Sequence, residues 1–460
     1  MTLTSCKIHF TKQASRSIYA SSSLLKQLNL KPTKSIQLRL GKKVTRTALK
    51  RIKKPGKHLY IPSTIRSLIH FPQTGSVYIS NQDNEKIELG PLIGIMTTAD
   101  QRTDARPFGR KSGLIKSYLQ AGNGKAFYFA FSPGDINWHN ETVAAHFLNS
   151  KGGWTRKIVP LPDVVYNRVT NRRIERSPAM QALKERFVRR NIPIFNWNFY
   201  DKWQIYNILQ NEPEVSRYVP ESYIDPSPEQ IRKMLEKHKF VYLKPTAGSL
   251  GKGIYRITHL PGRGYYVRYR NAGRNILLRF SRFSRLMDLI NKRKGKKLRN
   301  HVIQQGIRLI ELDNCPIDFR LHLNKNGNNE WVVAGFGAKK AGKGSVTTHV
   351  RSGGQLMTPE SVLKRLFSES QATEYLNKMK QTSIKLAEAL ERNDPHLIGE
   401  IGFDIGIDKN GDIWMFEANS KPGRSIFKHP ALKPQGKASL AYIFEYCLYL
   451  SRFFRGRRIE

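Results

Sequence analysis

Cysteine is nearly absent from this sequence of 460 residues. Cys6, Cys315 and Cys447 are far apart, and no C-x-x-C pair occurs. This spacing argues against a disulfide framework or a structural zinc site and is compatible with a reducing compartment. Long apolar runs are also lacking, since no run of 18 apolar residues occurs and the first residues, MTLTSCKIHFTKQ, hold no apolar core of signal-peptide type. We therefore expect neither a membrane span nor a secretory leader.

Acidic residues are missing from the first part of the chain. Residues 1–82 contain 16 Lys or Arg and no Asp or Glu, and residues 263–299 contain 13 Lys or Arg with one acid, Asp288. The formal net charge of the chain is +44, so this is a strongly basic protein. Such a field attracts polyanions, which include nucleic acid, acidic protein, anionic polymers and phosphorylated surfaces. The charge alone does not select one of them.

The apolar pattern divides the chain into three regions. Residues 1–90 indicate a basic, β-rich module, and residues 91–195 alternate strand and helix, as in a small α/β domain with a mostly parallel sheet. From about residue 196 the pattern changes to helices mixed with paired strands, and we expect a further domain over 196–460. We expect no internal repeat.

The stretch IGFDIGIDKNGDIWMFEANSKPG at 401–423 combines two apolar strands with acidic and amide side chains. Asn410-Gly411 is typical of a two-residue hairpin turn that pairs its flanking residues. Counting outward, this register places Asp404 opposite Glu417 and on one face with Asn419. The same register predicts Met415 and Ile413 on that face near the turn, and a core face of Phe403, Ile405, Ile407, Trp414, Phe416 and Ala418.

Two carboxylates directly opposite each other destabilise a sheet. At roughly 4–5 Å and an effective dielectric constant near 20, their repulsion is about 4 kcal/mol. Bound Mg²⁺ would offset it, because this ion takes carboxylate or amide oxygens together with substrate phosphate oxygens. Asp404, Glu417 and Asn419 are therefore candidate metal ligands. The alternative is an edge hairpin with its acids in water, which suits Asp408 and Asp412 near the turn.

A glycine-rich loop follows the strand predicted at 240–245, in which Lys244 interrupts the apolar residues. The loop, residues 246–253, contains three glycines. Backbone N–H groups of glycine can approach phosphate closely, and a lysine at the strand end adds a positive charge. A strand follows instead of a helix, so the loop is neither a P-loop nor a Rossmann turn. A plain glycine-rich hairpin is the alternative.

A third polar group alternates along an apolar strand. Asp318, Arg320 and His322 share one face of it. Arg320 could clamp a phosphate or an acylphosphate, whereas the alternative is a structural Asp–Arg pair. We expect His322 to be structural. Arg351 begins a polar turn, RSGG, that could face the same site.

Together these motifs resemble the ATP-grasp superfamily, and in particular the endospore coat-associated YheC/YheD family. The resemblance rests on the order of helix lysine, strand lysine, glycine loop, hinge, D-x-R and D…E-x-N. Its most specific element is FEANSKPG at 416–423 with the upstream Asp404. The similar region covers about 196–450, and the layout before it is similar too. The resemblance implies an ATP-grasp fold, two α+β subdomains clasping ATP, preceded by the α/β domain and the basic β-rich module.

The resemblance also implies a site. Arg320 and Lys244 would be catalytic, and Asp404, Glu417 and Asn419 would hold one or two Mg²⁺ ions, or Mn²⁺. The lysines and the glycine loop would bind the phosphates of ATP. The segment 304–307 would be the hinge, whose backbone binds the adenine edge, and Glu311 would bind the ribose hydroxyls. The residues that would bind ATP are Lys202, Lys244, Gly248, Ser249, Gly251, Lys252, Gly253, Gln304, Gln305, Gly306, Ile307 and Glu311. One departure is His349, where the family pattern has Asn, and it leaves the substrate side open.

The implied reaction joins a carboxylate to an amine. The carboxylate would attack the γ-phosphate of ATP, and the amine would then displace phosphate, with no side-chain nucleophile. The basic charge fits an unidentified acidic substrate or coat protein. By resemblance the protein would be cytoplasmic, in the mother cell, and associated with the endospore coat. Two alternatives stay open: a coat component that binds nucleotide without turnover, and a nucleic-acid-binding protein that stacks bases on the aromatic rings within 263–285.

Overall fold

The structure, a computed structural model, describes residues 2–81, 85–99, 103–122, 126–246, 253–272, 274–294, 298–345 and 353–453. Along this part of the chain a closed barrel is followed by a mixed sheet and then by two antiparallel sheets. The change from barrel to mixed sheet falls at Gly90–Pro91, where the predicted first region ends.

The strands within residues 2–81 and 85–90 form the closed barrel, with the order β1-β5-β2-β4-β3-β7-β6. Apolar side chains alternate with basic and polar ones along its strands, so the apolar set fills the interior. Its elements are β1 Thr2–Thr11, β2 Ser17–Ser21, α1 Ser22–Leu28, β3 Thr33–Leu40, β4 Lys43–Ile52, β5 His58–Pro62, α2 Ser63–Leu68, β6 Gly75–Asn81 and β7 Lys86–Gly90.

The barrel is built from an internal repeat. The order strand–helix–strand–strand occurs as β2-α1-β3-β4 and again as β5-α2-β6-β7. Each helix is followed by a residue in the left-handed region, Asn29 (φ 52) and His70 (φ 49). The expectation of no repeat is therefore wrong. Equivalent buried pairs are Ile18 with Leu59, Leu24 with Ile65, Leu28 with Ile69, Leu30 with Phe71, Ile36 with Val77, and Leu38 with Ile79.

The next sheet has the order β10-β11-β9-β8-β13-β14, and β12 pairs with β11. Strands β9, β8, β13 and β14 are parallel, as predicted, but β10, β11 and β12 are antiparallel. A short turn at 149–153 joins β11 to β12, and a connection of this length allows only a hairpin. The elements are β8 Leu92–Met96, α3 Ser112–Ala121, β9 Phe127–Phe131, β10 Ile136–Asn137, β11 Thr142–Leu148, β12 Trp154–Pro160, β13 Val164–Asn167, α4 Arg172–Glu175, α5 Pro178–Val188 and β14 Ile194–Phe195.

The third sheet is antiparallel, with the order β15-β20-β16-β17-β18-β19. Helices α7 and α8 cover one of its faces. The glycine-rich loop joins β16 to β17 as predicted. The elements are α6 Lys202–Gln210, β15 Ser222–Ile224, α7 Pro228–His238, β16 Phe240–Pro245, β17 Tyr255–Leu260, β18 Gly264–Asn271, β19 Arg274–Phe280, α8 Phe283–Lys294 and β20 His301–Gln305.

Four of the five aromatic rings within 263–285 lie in or against the core of this sheet. Tyr269 and Phe283 are buried between the sheet and its helices, and Tyr265 and Phe280 pack against the same cluster. Stacking of bases on these four rings would require the core to open. Tyr266, the fifth ring, lies on the opposite face of the sheet beside Thr258 and Arg279, so it alone still fits the nucleic-acid alternative.

The fourth sheet, with the order β24-β23-β22-β25-β26 and β21 beside β22, shares a core with α6, α9 and α10. The two helices predicted between 361 and 391 are present, and the side chains of Thr358 and Ser368 cap them. The elements are β21 Glu311–Leu312, β22 Cys315–Lys325, β23 Trp331–Lys340, β24 Gln355–Met357, α9 Pro359–Leu366, α10 Glu369–Asn393, β25 Glu400–Ile407, β26 Ile413–Asn419 and α11 Lys433–Leu450.

Helix α11 connects this last sheet to the mixed sheet. Its residues Phe444 and Cys447 are buried in one cluster with Ile93, Tyr118 and Tyr166. The predicted second and third regions therefore share a core element. Among the helices of the described residues, none is long and apolar enough to cross a membrane.

Candidate functional site

The hairpin β25–β26 brings two carboxylates together. Asp404 faces Glu417, as predicted, and Asn419 faces Gly402 further from the turn. Directly opposite residues on adjacent strands share a face. The three oxygen-bearing side chains therefore lie on one surface, and each is partly exposed.

The predicted register is right at the acid pair and wrong near the turn. A β-bulge after Asp404 shifts the pairing by one residue, so that Met415 and Ile413 face core residues of β25. A shift of one residue moves every side chain to the other face. Met415 and Ile413 are buried, whereas Trp414 and Phe416 are half-buried on the other side, the reverse of the prediction.

The turn is also longer than predicted. Lys409 does not pair with Asp412. Instead, the carboxylate of Asp408 accepts hydrogen bonds from the backbone N–H groups of Asn410 and Asp412 and from Trp414 Nε1, each at 2.9 Å. Such local bonds compete with the strand ladder. Asp408 is therefore a buried structural acid and not a solvated one.

Three cations surround the acid pair. Lys339 Nζ and Arg320 Nε lie 2.7 and 2.9 Å from Asp404 Oδ1, and Lys202 Nζ lies 3.0 Å from Glu417 Oε1. At these distances the opposite charges offset the repulsion between the carboxylates. The repulsion between the two carboxylates therefore does not by itself require a metal ion.

Lys244 reaches the same site from the third sheet. Its Nζ donates to Gln304 Oε1 at 2.5 Å, and the residue is buried. Burial, followed by the charge of Lys202, lowers the pKa of Lys244 to about 8, while the carboxylates of Glu417 and Asp404 act in the opposite direction. The two predicted phosphate lysines thus lie close enough to two predicted metal ligands, Asp404 and Glu417, for their charges to interact.

Most of the predicted hinge, residues 304–307, already forms backbone hydrogen bonds within the fold. The backbone of Gln304 lies inside the sheet, between β15 and β16. Gln305 N–H donates to the residue before β15, and Gly306 N–H donates to Phe240 O at 3.0 Å. A side chain at Gly306 would overlap the Phe240 ring. Within the described residues, Ile307 is the hinge residue whose backbone N–H has no hydrogen-bond partner.

The positions of two other predicted nucleotide-binding residues do not test their roles. Glu311 is exposed at the start of β21, and Gly253 has φ +75 just before β17. Several predicted residues lie outside the described part of the chain, namely Gly248, Ser249, Gly251, Lys252, His349 and Arg351.

Comparison with protein families identifies the fold. A family model described as YheC/D like ATP-grasp matches residues 191–450, more than half of the chain. The chain belongs to this ATP-grasp family. Its two antiparallel sheets, with their helices, are the two α+β subdomains of the ATP-grasp fold.

Two curated proteins of Bacillus subtilis are similar to this ATP-grasp chain. The endospore coat-associated protein YheD is 38% identical over 371 residues, covering 79% of this chain and 80% of YheD. The endospore coat-associated protein YheC is 26% identical over 325 residues, covering 68% of this chain and 85% of YheC. Among solved structures, D-alanyl-alanine synthetase A from Vibrio cholerae superimposes with a TM-score of 0.45 at 12% identity, covering 79% of this chain and 99% of that one.

Arg320 of the ATP-grasp site retains an unused hydrogen-bond donor. Its Nη1 is buried and has no hydrogen-bond partner within the described residues. The atom lies over Gly402, where an added Cβ would come within 2.8 Å of it and of Pro422. A glycine at this position therefore leaves room for the guanidinium group beside Asp404.

Lys339 was not among the predicted site residues. Burial lowers its pKa, but the carboxylates of Asp318 and Asp404 outweigh burial, so the pKa is raised and the amine stays charged. Tyr206 was also missed, although its hydroxyl donates to Phe416 O at 2.5 Å and anchors β26 on α6. The paired lysines that end the strand WVVAGFGAKK were the available signal for Lys339.

His322 is structural, as expected. It is fully buried, its Nε2 lies 2.9 Å from Glu400 Oε1, and burial lowers its pKa to about 4. Burial would raise the pKa of Glu400, but Arg168, His322 and Arg424 hold it at about 2. Arg168 follows β13, so this buried network joins the ATP-grasp fold to the mixed sheet.

A second buried network begins two residues after Asn419. Lys421 Nζ donates to Glu175 Oε1 at 2.8 Å, and Lys184 Nζ and Asn167 Nδ2 share the same oxygen at 3.4 and 2.7 Å. Burial lowers the pKa of Lys421 to about 7 despite the attraction of Glu175. The E-x-N-x-K-P-G run is thus tied to α4 and α5, outside the ATP-grasp fold.

The site is suited to a hard cation and a triphosphate. Asp404, Glu417 and Asn419 offer carboxylate and amide oxygens on one surface, which is the donor chemistry that Mg²⁺ prefers. Within the described residues no group of three or more His, Cys, Asp or Glu could hold a metal, so the amide and the substrate would have to complete the shell. The unpaired Nη1 of Arg320 suits an additional anionic oxygen.

Proposed function

We propose that the protein is a magnesium- and ATP-dependent carboxylate–amine ligase of the endospore coat type, acting on an acidic substrate. One arrangement supports this proposal above others. Lys202 bonds to Glu417, Arg320 bonds to Asp404, and both carboxylates act electrostatically on Lys244 from the opposite sheet. Charges of both signs therefore converge where a triphosphate and a carboxylate could meet.

The residues have separate parts in this mechanism. Lys202 and Lys244 bind the phosphates, and Ile307 offers its backbone N–H to the adenine edge. Asp404 and Glu417, with Asn419, would hold Mg²⁺, which would neutralise charge on the transferred phosphoryl group. Arg320 orients the phosphoryl group with its free nitrogen. The substrate carboxylate attacks the γ-phosphorus, ADP leaves, and the amine then displaces phosphate from the acylphosphate.

The proposed location follows from the relatives. The names of YheD and YheC associate those two proteins with the endospore coat. We infer the same association for this chain, in the mother cell, with an acidic coat protein or peptide as the substrate. A coat component that binds nucleotide without turnover is the second candidate, because the relatives' names describe a location and no reaction.

The decisive experiment is a mass-spectrometric search for products. Purified protein, Mg²⁺ and ATP are added to a spore or mother-cell extract, and a matched reaction omits ATP. The ligase proposal expects ADP and a new species whose mass is the sum of an acid and an amine less one water. Nucleotide that protects the protein against thermal unfolding, with no ADP formed across a broad panel of acids and amines, would favour the non-catalytic candidate.

We expect the affinity for magnesium–ATP to fall as the pH rises above about 8. Lys244 binds phosphate only when charged, and its pKa in the free protein is about 8. Bound phosphate raises the pKa of Lys244. The affinity for magnesium–ATP is therefore at its maximum below about pH 8 and falls as the pH rises toward the pKa that Lys244 has in the complex. Isothermal titration calorimetry between pH 7 and 10 measures the slope. Lys244→Arg should remove it, and an unchanged slope in that variant would assign the titration to another group.

A further inference from the structure

The sheet formed by β16 to β20 has two chemically different faces. On one face, side chains such as Leu243, Ile257 and Val267 pack under α7 and α8. Lys244 and Tyr242 project from the opposite face, because side chains alternate along a strand. That opposite face, the cleft face, is the one that carries the nucleotide lysine.

The cleft face continues from the nucleotide site to the edge of the sheet as a row of opposed residues. Gln304, which binds Lys244, faces Tyr242, and the row runs on through Arg256 and Arg268 to Leu277 on β19. A second row beside it consists of Phe240, Thr258, Tyr266 and Arg279. Arginine thus replaces apolar residues on a surface that leads directly from the site.

These arginines lack acidic partners. Residues 253–280 contain six Arg and no Asp or Glu. Within the described residues, neither Arg256, Arg268 nor Arg279 forms a salt bridge, and Arg256 Nε is buried without a hydrogen-bond partner. Arg256 instead lies over the Phe240 ring, with Cζ 4.4 Å from its centroid. Arg279 Nε donates to the backbone oxygen of Arg263 at 3.1 Å. A concentration of guanidinium groups without acidic partners is suited to binding anions.

Strand β19 also presents a free edge. In the described part of the chain it pairs with β18 alone and ends the sheet. Leu277, at the end of the first row, is 55% exposed on the cleft face. An exposed edge of this kind offers backbone N–H and C=O groups to an additional extended strand.

We propose that the cleft face of β17, β18 and β19 binds an extended acidic polypeptide and leads one of its carboxylates to Arg320. Arg256, Arg268 and Arg279 take its side-chain carboxylates, Leu277 takes an apolar residue, and the edge of β19 takes its main chain. This inference rests on the proposed ligase function and names its substrate class. A polypeptide is favoured over nucleic acid because the free edge of β19 can pair with a main chain that carries both N–H and C=O groups.

The test compares two variants that lose equal charge. Arg268→Gln/Arg279→Gln removes two cations of the cleft face. Arg263→Gln/Arg285→Gln removes two exposed cations, from the β17–β18 turn and from α8 on the opposite face. Binding of fluorescein-labelled decaglutamate is measured by anisotropy at about 0.15 M salt, where the screening length is about 8 Å. A ten-residue deoxythymidine oligonucleotide is the comparison ligand.

We expect the cleft-face variant to bind decaglutamate at least tenfold more weakly, and the control variant to bind within twofold of wild type. Decaglutamate should also slow hydrogen exchange of the β19 amides in wild type. Equal weakening in both variants, or none, overturns the inference, as does an oligonucleotide that binds more tightly and depends on the same arginines.

Failure of the inference is distinguishable from failure of the proposed function. Magnesium–ATP binding is measured on the same three proteins, and it should be unchanged by either pair of substitutions. A wild type that binds decaglutamate through Arg268 and Arg279 but never binds ATP would overturn the ligase function and retain the surface. If the wild type binds ATP but its binding of decaglutamate does not depend on these arginines, the proposed surface is overturned and the ligase function is retained.

Discussion

Glu417→Gln is expected to reduce magnesium-dependent ADP formation by at least about 100-fold, equivalent to about 2.7 kcal/mol of transition-state stabilisation. Glutamine keeps the size of the side chain and an oxygen for Lys202, which lies 3.0 Å away. It removes the negative charge that a metal ion needs opposite Asp404. The measurement is the initial rate of ADP release at saturating ATP, with the substrate that the extract search identifies.

The matched control for this variant is Asp412→Asn. Asp412 is an exposed acid of the same hairpin, at its far end, and should leave the rate within twofold of wild type. Thermal unfolding of both variants separates loss of the charge from loss of the fold. A Glu417→Gln protein with nearly full activity and unchanged dependence on Mg²⁺ would remove the acid pair from the proposed metal site.

The sequence predicts the pairing of Asp404 with Glu417, but the predicted turn and the predicted register near it are both wrong. The Asn-Gly turn predicted a tight two-residue loop, but Asp408 binds the loop backbone and lengthens it. The bulge after Asp404 then shifts the register back by one residue. The two deviations cancel at Glu417 and do not cancel at Met415. A local hydrogen-bonding side chain and a bulge leave no periodic signal, so the pattern could not reveal either.

The barrel repeat was visible in the sequence in a weaker form. Residues 18–38 and 59–79 match in the positions of apolar residues more than in residue identity. Packing requires similar volume and burial at equivalent positions, so Leu24 can correspond to Ile65 and Leu28 to Ile69. A comparison of apolar spacing between the two segments would have found the repeat, whereas a search for identical residues would not.

Buried charges between distant segments could not be predicted. Lys421 belongs to the E-x-N-x-K-P-G motif, whereas its partner Glu175 lies in a segment for which the sequence predicts no site residue. Neither residue interrupts an apolar strand in the way that Lys244 does. Their contact is fixed by how the mixed sheet and the ATP-grasp fold pack, and a single sequence carries no record of that packing.

Lys421→Met is expected to loosen the metal-binding end of β26. The substitution keeps the length and apolar stem of the side chain but removes the amine that Glu175 Oε1 holds at 2.8 Å. Loss of one partner of a buried ion pair destabilises a protein by about 3 kcal/mol. Asn419 lies two residues before Lys421, so we also expect nucleotide binding in the presence of Mg²⁺ to weaken at least about tenfold, equivalent to about 1.4 kcal/mol. Nucleotide binding without Mg²⁺ should stay within twofold of wild type. Hydrogen exchange of the amides of 415–420 should become faster.

Lys184→Met is the matched control, because Lys184 is equally buried and shares the same oxygen of Glu175. It lies on α5, away from β26, and also donates to Trp197 O and Asn198 Oδ1. This variant should lose comparable stability in urea unfolding, while the exchange at 415–420 and the effect of Mg²⁺ on nucleotide affinity stay close to wild type. If both lysine variants changed exchange and affinity equally, the buried cluster would serve only to hold the fold together. A change confined to Lys421→Met means that residues outside the ATP-grasp fold position its metal-binding strand.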